Sequence, residues 1–111
     1  MISPGKEHEW SKYIKFFGET NVGRRTRLGV FERENGNVTD YWLESGLPLA
    51  GLDMDAKNDV IDVQIRIGDL THVIDNAVKF TFHLSHAGDE DGADITDAAG
   101  RTTILRFETA P

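Results

Sequence analysis

The sequence predicts one α+β domain, residues 1–111, that is mostly β. We expect one N-terminal helix packed on a bent antiparallel sheet, or a partly open small β-barrel, of about seven or eight strands. Apolar residues follow a helical period only near the N-terminus, and most of the remaining chain alternates apolar with polar residues. Short turn-forming stretches separate the alternating runs, which is typical of an antiparallel sheet and not of repeated βαβ units.

The segment "EHEWSKYIKFFGETN" predicts the helix. Trp10, Ile14 and Phe17 recur at i, i+4 and i+7, which places them in one apolar stripe. Ser3-Pro4 suits the start of the helix, and Gly18 suits its end. A helix with a single apolar stripe needs a surface to cover, and the predicted sheet provides one.

The runs "RTRLGVFER" and "VTDYWLES" alternate and predict two strands. Asn35-Gly36 between them favours a hairpin with a type I′ turn, because that turn needs positive φ at both central residues. A further strand is expected in "GLPLAGLDMD", where Pro48 indicates an edge or the start of a strand.

Three later runs predict the core of the sheet. "DVIDVQIRIG" alternates cleanly, as expected for a half-buried antiparallel strand, with Ile61, Val63, Ile65 and Ile67 facing inward. "VKFTFHLS" predicts inward Val78, Phe80, Phe82 and Leu84. "RTTILRFE" closes the chain with Leu105 and Phe107 on one face. The short run "THVID" and the polar loop "HAGDEDGAD" connect them.

The net charge of −7 lies entirely in residues 49–111, where 12 acidic and 5 basic side chains give 5 − 12 = −7. An acidic surface repels phosphate backbones, so no nucleic acid is expected as a partner. There is no cysteine, which excludes disulfides and thiol chemistry. No signal peptide and no run of about twenty apolar residues are visible, so we expect a cytoplasmic protein with no membrane association.

Two acidic stretches resemble metal-binding loops only superficially. "LDMDAKNDVID" lacks the central glycine and the final glutamate of a calcium loop, so we expect residues 55–59 to form a turn between strands. The second stretch, residues 88–94, also departs from that motif, and a solvated loop tip is the expected structure. Weak calcium binding in this loop remains an alternative.

No nucleophile, phosphate-binding or dinucleotide-binding motif is present, so no catalytic residue and no cofactor are predicted. We therefore expect a non-enzymatic interaction or ligand-binding module. The alternative is a small metal-dependent protein or enzyme that uses His72 with Asp55, Asp59 or Asp62, because zinc accepts histidine and carboxylate ligands.

The best candidate for an interaction surface is Trp42 with Arg25 and Arg27. The two arginines share one face of a strand. Tyr41 and Trp42 are neighbours in the next strand, so one of the two rings faces outward. An exposed aromatic beside arginines is typical of a protein-contact hot spot, so we expect a protein partner or a homo-oligomer. The simpler role for the arginines is cross-strand pairing with acidic residues of the next strand, namely Asp40 or Glu44.

The order of four motifs resembles a family of small uncharacterised bacterial proteins, a domain of unknown function. The motifs are Glu9-Trp10 with Phe17, "LPLAGLDMDAKNDVIDVQI", His72-Val73-Ile74 and the terminal "GRTTILRF". Family members often carry proline after the histidine segment, where this chain has "NA". The resemblance implies a bacterial intracellular domain and no assigned activity. Asp55, Asp59 and His72 fall in the shared motifs and are therefore the candidate site, if there is one.

Overall fold

The computed structural model describes residues 4–34, 37–58, 60–84 and 90–108 of the chain. One helix precedes seven strands in a single antiparallel sheet of order β4-β3-β2-β1-β7-β6-β5. The elements are α1 (Pro4–Thr20), β1 (Arg25–Glu34), β2 (Asn37–Lys57), β3 (Val60–Ile67), β4 (Leu70–Ile74), β5 (Ala77–Leu84), β6 (Glu90–Asp97) and β7 (Thr102–Phe107). The sheet bends into a half-barrel, so the predicted α+β, mostly β class is confirmed.

The helix covers the concave face of the sheet with the predicted stripe. Ile14 and Phe17 are each only 1% exposed and belong to the hydrophobic core. The Phe17 ring lies 5.0 Å from the ring of Phe82 on β5 and 5.6 Å from that of Phe107 on β7. The helix therefore joins two separate strands of the sheet at one aromatic cluster. The side chain of Trp10 lies outside the described residues.

The helix ends later than predicted. Gly18 does not terminate it, because the helix continues to Thr20. Gly18 instead lies against β2, where an added Cβ would come within 3.0 Å of the Leu52 Cβ. The buried Asn21 side chain terminates the helix by donating a hydrogen bond from Nδ2 to the Phe17 carbonyl oxygen at 2.8 Å. The glycine thus reflects close helix–sheet packing and not a C-cap.

The two strands predicted on either side of Gly46 form one long strand, β2. Its first half pairs with β1 from Glu34↔Asn37 to Arg25↔Pro48, and its second half pairs with β3 from Leu49↔Ile67 onward. Pro48 lies where the pairing partner of β2 changes. Proline has no backbone N–H, and at such a position the strand loses the fewest ladder hydrogen bonds. The predicted Asn35-Gly36 turn lies outside the described residues.

The predicted connection at residues 55–59 is shorter than expected. β2 continues to Lys57, so Asp55 lies within a strand and pairs with Asp62 of β3. Asn58 adopts a positive φ of 54° at the reversal, which asparagine tolerates well. Asp59 lies outside the described residues.

The inward face of β3 is confirmed, because Ile61, Val63, Ile65 and Ile67 are all fully buried. The prediction for β5 is wrong at its two ends. A bulge between Ala77 and Lys79 buries Ala77 and leaves Val78 40% exposed, and Leu84 is 64% exposed. A bulge adds one residue and so reverses the alternation beyond it.

The predicted loop at residues 86–94 is partly a strand, because β6 begins at Glu90. Asp94 therefore lies in the sheet and not at a loop tip, and it pairs with Ile104 of β7. Asn76, just before β5, ties the two halves of the sheet together: its amide donates to Asp62 Oδ1 and its carbonyl accepts from the Ala98 amide. Within the described residues, no helix is long and apolar enough to cross a membrane.

Candidate functional site

The change of partner in β2 leaves one side of its first half without a partner among the described strands. β1 pairs with residues 37–48 on one side, and β3 pairs only from Leu49 on the other side. Among the residues that the structure describes, no strand pairs with the remaining side of residues 37–47, which we name the free β2 edge. Unpaired strand edges present amides and carbonyls that another chain can bind.

The free β2 edge also carries exposed apolar side chains. Val38, Tyr41, Trp42 and Leu43 are 52%, 45%, 48% and 40% exposed. The pairing with β1 is regular from Asn37 to Trp42, and bulges follow at Leu43 and Gly46. Bulges twist a strand and limit further pairing, so the regular part of the edge is short.

Trp42 lies on the outer, convex face of the sheet opposite Gly29 of β1. A Cβ at Gly29 would come within 2.8 Å of Trp42 Cε3, so glycine at this position allows the indole to lie flat on β1. The guanidinium carbon of Arg27 lies 4.5 Å from the centre of the indole ring. This is the geometry of a cation–π contact.

Arg25 and Arg27 are both exposed, whereas Thr26 and Leu28 are buried, so the arginines share the convex face as predicted. The predicted pairing with Asp40 or Glu44 is not formed. No described carboxylate lies within ion-pair distance of either guanidinium. Arg27 instead contacts Trp42, because the exposed indole occupies the outer surface beside it.

A hollow of about 220 Å³ lies beside Trp42 on this surface. Its lining includes Gly29, Asp40, Trp42 and Ile104. The hollow is small and open, with one carboxylate at its rim. It suits a single side chain of a partner better than a complete small molecule, because ligand pockets commonly have volumes of about 300–1,000 Å³.

His72 lies on the opposite, concave face. It pairs with fully buried Ile65, and residues directly opposite in a ladder share one face. Its Nε2 lies 3.4 Å from Oγ1 of Thr103 on β7. Burial lowers the pKa of His72 below its ordinary value of 6.5, and the positive charge of Arg101 lowers it further. Arg101 itself forms an ion pair with Glu32.

The structure does not bring His72 together with the described candidate aspartates. Asp62 lies between buried Ile61 and Val63 and pairs with Asp55, so both carboxylates face the convex side. His72 faces the concave side. Within the described part of the chain, no group of three histidine, aspartate or glutamate side chains is arranged to hold a metal ion.

Sequence reasoning missed a polar network on the convex face. Asp94 accepts a hydrogen bond from Arg106 Nη1 through Oδ1 and contacts His83 Nε2 through Oδ2, both at 2.8 Å. The three residues come from β6, β7 and β5, so the network ties together three neighbouring strands. Alternation places His83 and Arg106 outward, whereas Asp94 was expected in a loop, and only the strand order makes the three residues neighbours.

A second hollow, of about 350 Å³, lies between α1 and the second half of β2. Ile14, Leu52 and Met54 are among its apolar lining residues, and Arg66 lies at its side in an ion pair with Asp53 at 3.0 Å. The charged groups at this hollow thus already include one neutralised pair.

No known family model, curated protein or solved structure matches the chain.

Proposed function

We propose that this protein is a non-enzymatic interaction module that binds an extended protein segment along the free β2 edge. The observation that carries the proposal is a strand edge that no described strand pairs with, flanked by exposed aromatic and apolar side chains. An extended segment that adds to such an edge gains main-chain hydrogen bonds, and its alternate side chains enter surface hollows.

The Trp42–Arg27 pair is the expected anchor of this surface. Trp42 offers a large apolar face, and Arg27 offers a guanidinium with no described ion-pair partner. Tryptophan and arginine are the residue types that most often dominate binding energies in protein interfaces. The resemblance to small bacterial proteins supports a bacterial, cytoplasmic setting for the interaction.

Selection from a random peptide library on the immobilised full chain tests this proposal. Hydrogen exchange then locates the selected peptide, and we expect slower exchange of amides in residues 38–46. Trp42→Ala should weaken binding about tenfold or more, as expected for a hot-spot residue. Val78→Ala is the matched control, because Val78 is a 40% exposed apolar residue on β5, away from the free β2 edge. Peptides that protect another surface, or that bind Trp42→Ala normally, would contradict the proposal.

A further inference from the structure

The convex face at the free β2 edge carries two opposite charges, Asp40 on β2 and Arg27 on the neighbouring β1, which do not form an ion pair within one chain. Asp40 and Trp42 are two residues apart in a regular strand and so share the convex face. The Arg27 guanidinium lies over Trp42 and has no described carboxylate partner. A carboxylate presented directly opposite Trp42 by a neighbouring strand would share the convex face with that guanidinium, on the other side of Trp42.

A second copy of the chain can present that carboxylate. Two identical strands that pair antiparallel about a two-fold axis place one residue opposite its own copy, and this residue determines all other pairs. An axis at Asp40 sets two aspartates opposite each other. Like charges directly opposite are destabilising, so this arrangement is disfavoured. An axis at Trp42 sets the two indoles opposite each other and leaves the Arg27–Trp42 pair without a carboxylate.

Two further axis positions fail for other reasons. An axis at Thr39 sets Asp40 opposite Val38 and leaves the Arg27–Trp42 pair without a carboxylate. An axis at Leu43 would bring the partner strand alongside Leu49, whose place in the ladder is already taken by Ile67 of β3.

We infer that two copies of this protein pair their free β2 edges about an axis at Tyr41. This inference rests on the proposed function, and it identifies the bound extended segment as β2 of a second copy. Asp40 of each copy then lies opposite Trp42 of the other, on the same face as the Arg27 guanidinium, and the arrangement occurs twice by symmetry. Asn37 of one copy reaches Ser45 of the other, so the new ladder stops before the Pro48–Gly68 hydrogen bond where β3 takes over the pairing.

The dimer is expected to be weak and dependent on concentration. The bulge at Leu43 restricts the most regular pairing to the residues nearest the axis. Such a short ladder buries less than the roughly 1,200 Å² typical of stable interfaces.

Single cysteines test the axis cleanly, because the chain has no cysteine of its own. In Tyr41→Cys the two new residues would be opposite each other, with Cα atoms about 4.5–5.5 Å apart, a separation that a disulfide spans. We expect mild oxidation to give a covalent dimer. Val38→Cys is the control, because its copies would lie about 20 Å apart along the strands. Asp40→Cys and Trp42→Cys report two of the rejected axes, those at Asp40 and at Trp42.

Charge reversal tests the ion pair. Arg27→Asp places a carboxylate near Asp40 of the partner copy, and Asp40→Arg places a second guanidinium near Arg27. Each variant alone should therefore sediment as a monomer at concentrations where the natural chain dimerises. An equimolar mixture of the two variants restores an opposite-charge contact, and we expect dimers to return. Both variants change exposed side chains, and circular dichroism checks that each is folded.

Two results would overturn the inference: cross-linking of Tyr41→Cys no faster than that of Val38→Cys, or a variant mixture that remains monomeric. If selected peptides nevertheless protect residues 38–46, the edge binds a different partner and the proposed function stands. If neither peptides nor a second copy bind the edge, both proposals fail.

Discussion

At the scale of single residues, His72 has unusual surroundings for a side chain on a short strand at the edge of a sheet. It faces the core side of the sheet beside Thr103. Burial lowers the pKa of its ring, which couples the charge state of His72 to folding. A histidine that is partly removed from water is more stable in its neutral form. This coupling is a property of stability and needs no ligand.

We predict that acid weakens the fold through His72. Its pKa is lowered by burial and then by Arg101, so near and below 6.5 the unfolded chain binds a proton more readily than the folded chain. The contribution of the neutral ring is fully present above pH 6.5 and is lost as the pH falls below that value. In urea denaturation at a series of pH values, His72→Gln should lose this part of the pH dependence.

Arg101→Gln is the second variant for this prediction. It removes the smaller cause of the lowered pKa, so the pH dependence should be reduced but not abolished. Equal slopes for the natural chain and His72→Gln would show that the histidine does not couple to folding.

At the scale of the elements, β6 is closely restricted by its two neighbouring strands. It lies between β5 and β7, and Gly92 pairs with both His83 and Arg106. Gly92 has a φ of +155°, and a Cβ there would collide with the Leu105 carbonyl oxygen. Because that oxygen belongs to the backbone of a paired strand, it cannot move without disturbing the ladder.

We predict that Gly92→Ala destabilises the protein by about 3 kcal/mol or more, from strain and lost β6–β7 pairing together. Asp91→Ala, an exposed neighbour on the same strand, should change the free energy of unfolding by less than about 0.5 kcal/mol. Guanidinium denaturation of both variants measures the difference. A Gly92→Ala variant as stable as the natural chain would mean that the two strands separate easily at this point.

The alternation in the sequence correctly predicted the inward faces of β3 and β7, because neither strand contains a bulged residue. It was wrong where bulges occur. The bulges at Leu43 and Gly46 made one long strand look like two, and the bulge at Val78 reversed the faces at the start of β5. A bulge and a strand end interrupt alternation in the same way, so a local pattern does not distinguish them.

At the scale of the whole molecule, the two faces of the half-barrel separate groups that are close in sequence or share its motifs. The concave face holds His72 and the core, and the convex face holds Asp55, Asp62 and the Trp42–Arg27 pair. A ligand therefore meets the histidine or these aspartates, but not both. This separation favours the interaction surface over a joint metal site.

A thermal-shift comparison tests that separation. A metal that binds the folded state raises its stability by mass action. Because His72 shares no face with the aspartates, we predict that zinc or manganese at millimolar concentration changes the thermal unfolding midpoint of the natural chain and of His72→Gln by the same amount. Asp55→Asn is the matched variant on the other face. A metal-dependent rise in the midpoint that both substitutions abolish would show that the two faces cooperate in one site.

The sequence by itself determined which segments form the helix and most of the sheet, and which face of each regular strand carries Arg27, Ile65 or Leu105. These properties depend on periods of two or 3.6 residues, which are local. Only the tertiary structure decided that the pairing partner of β2 changes from β1 to β3 at Pro48, which creates the free β2 edge. The same holds for the position of Arg27 over Trp42 and for the contact between His72 and Thr103. Strand order, register and curvature arise from contacts between residues far apart in the chain, and alternation carries no information about them.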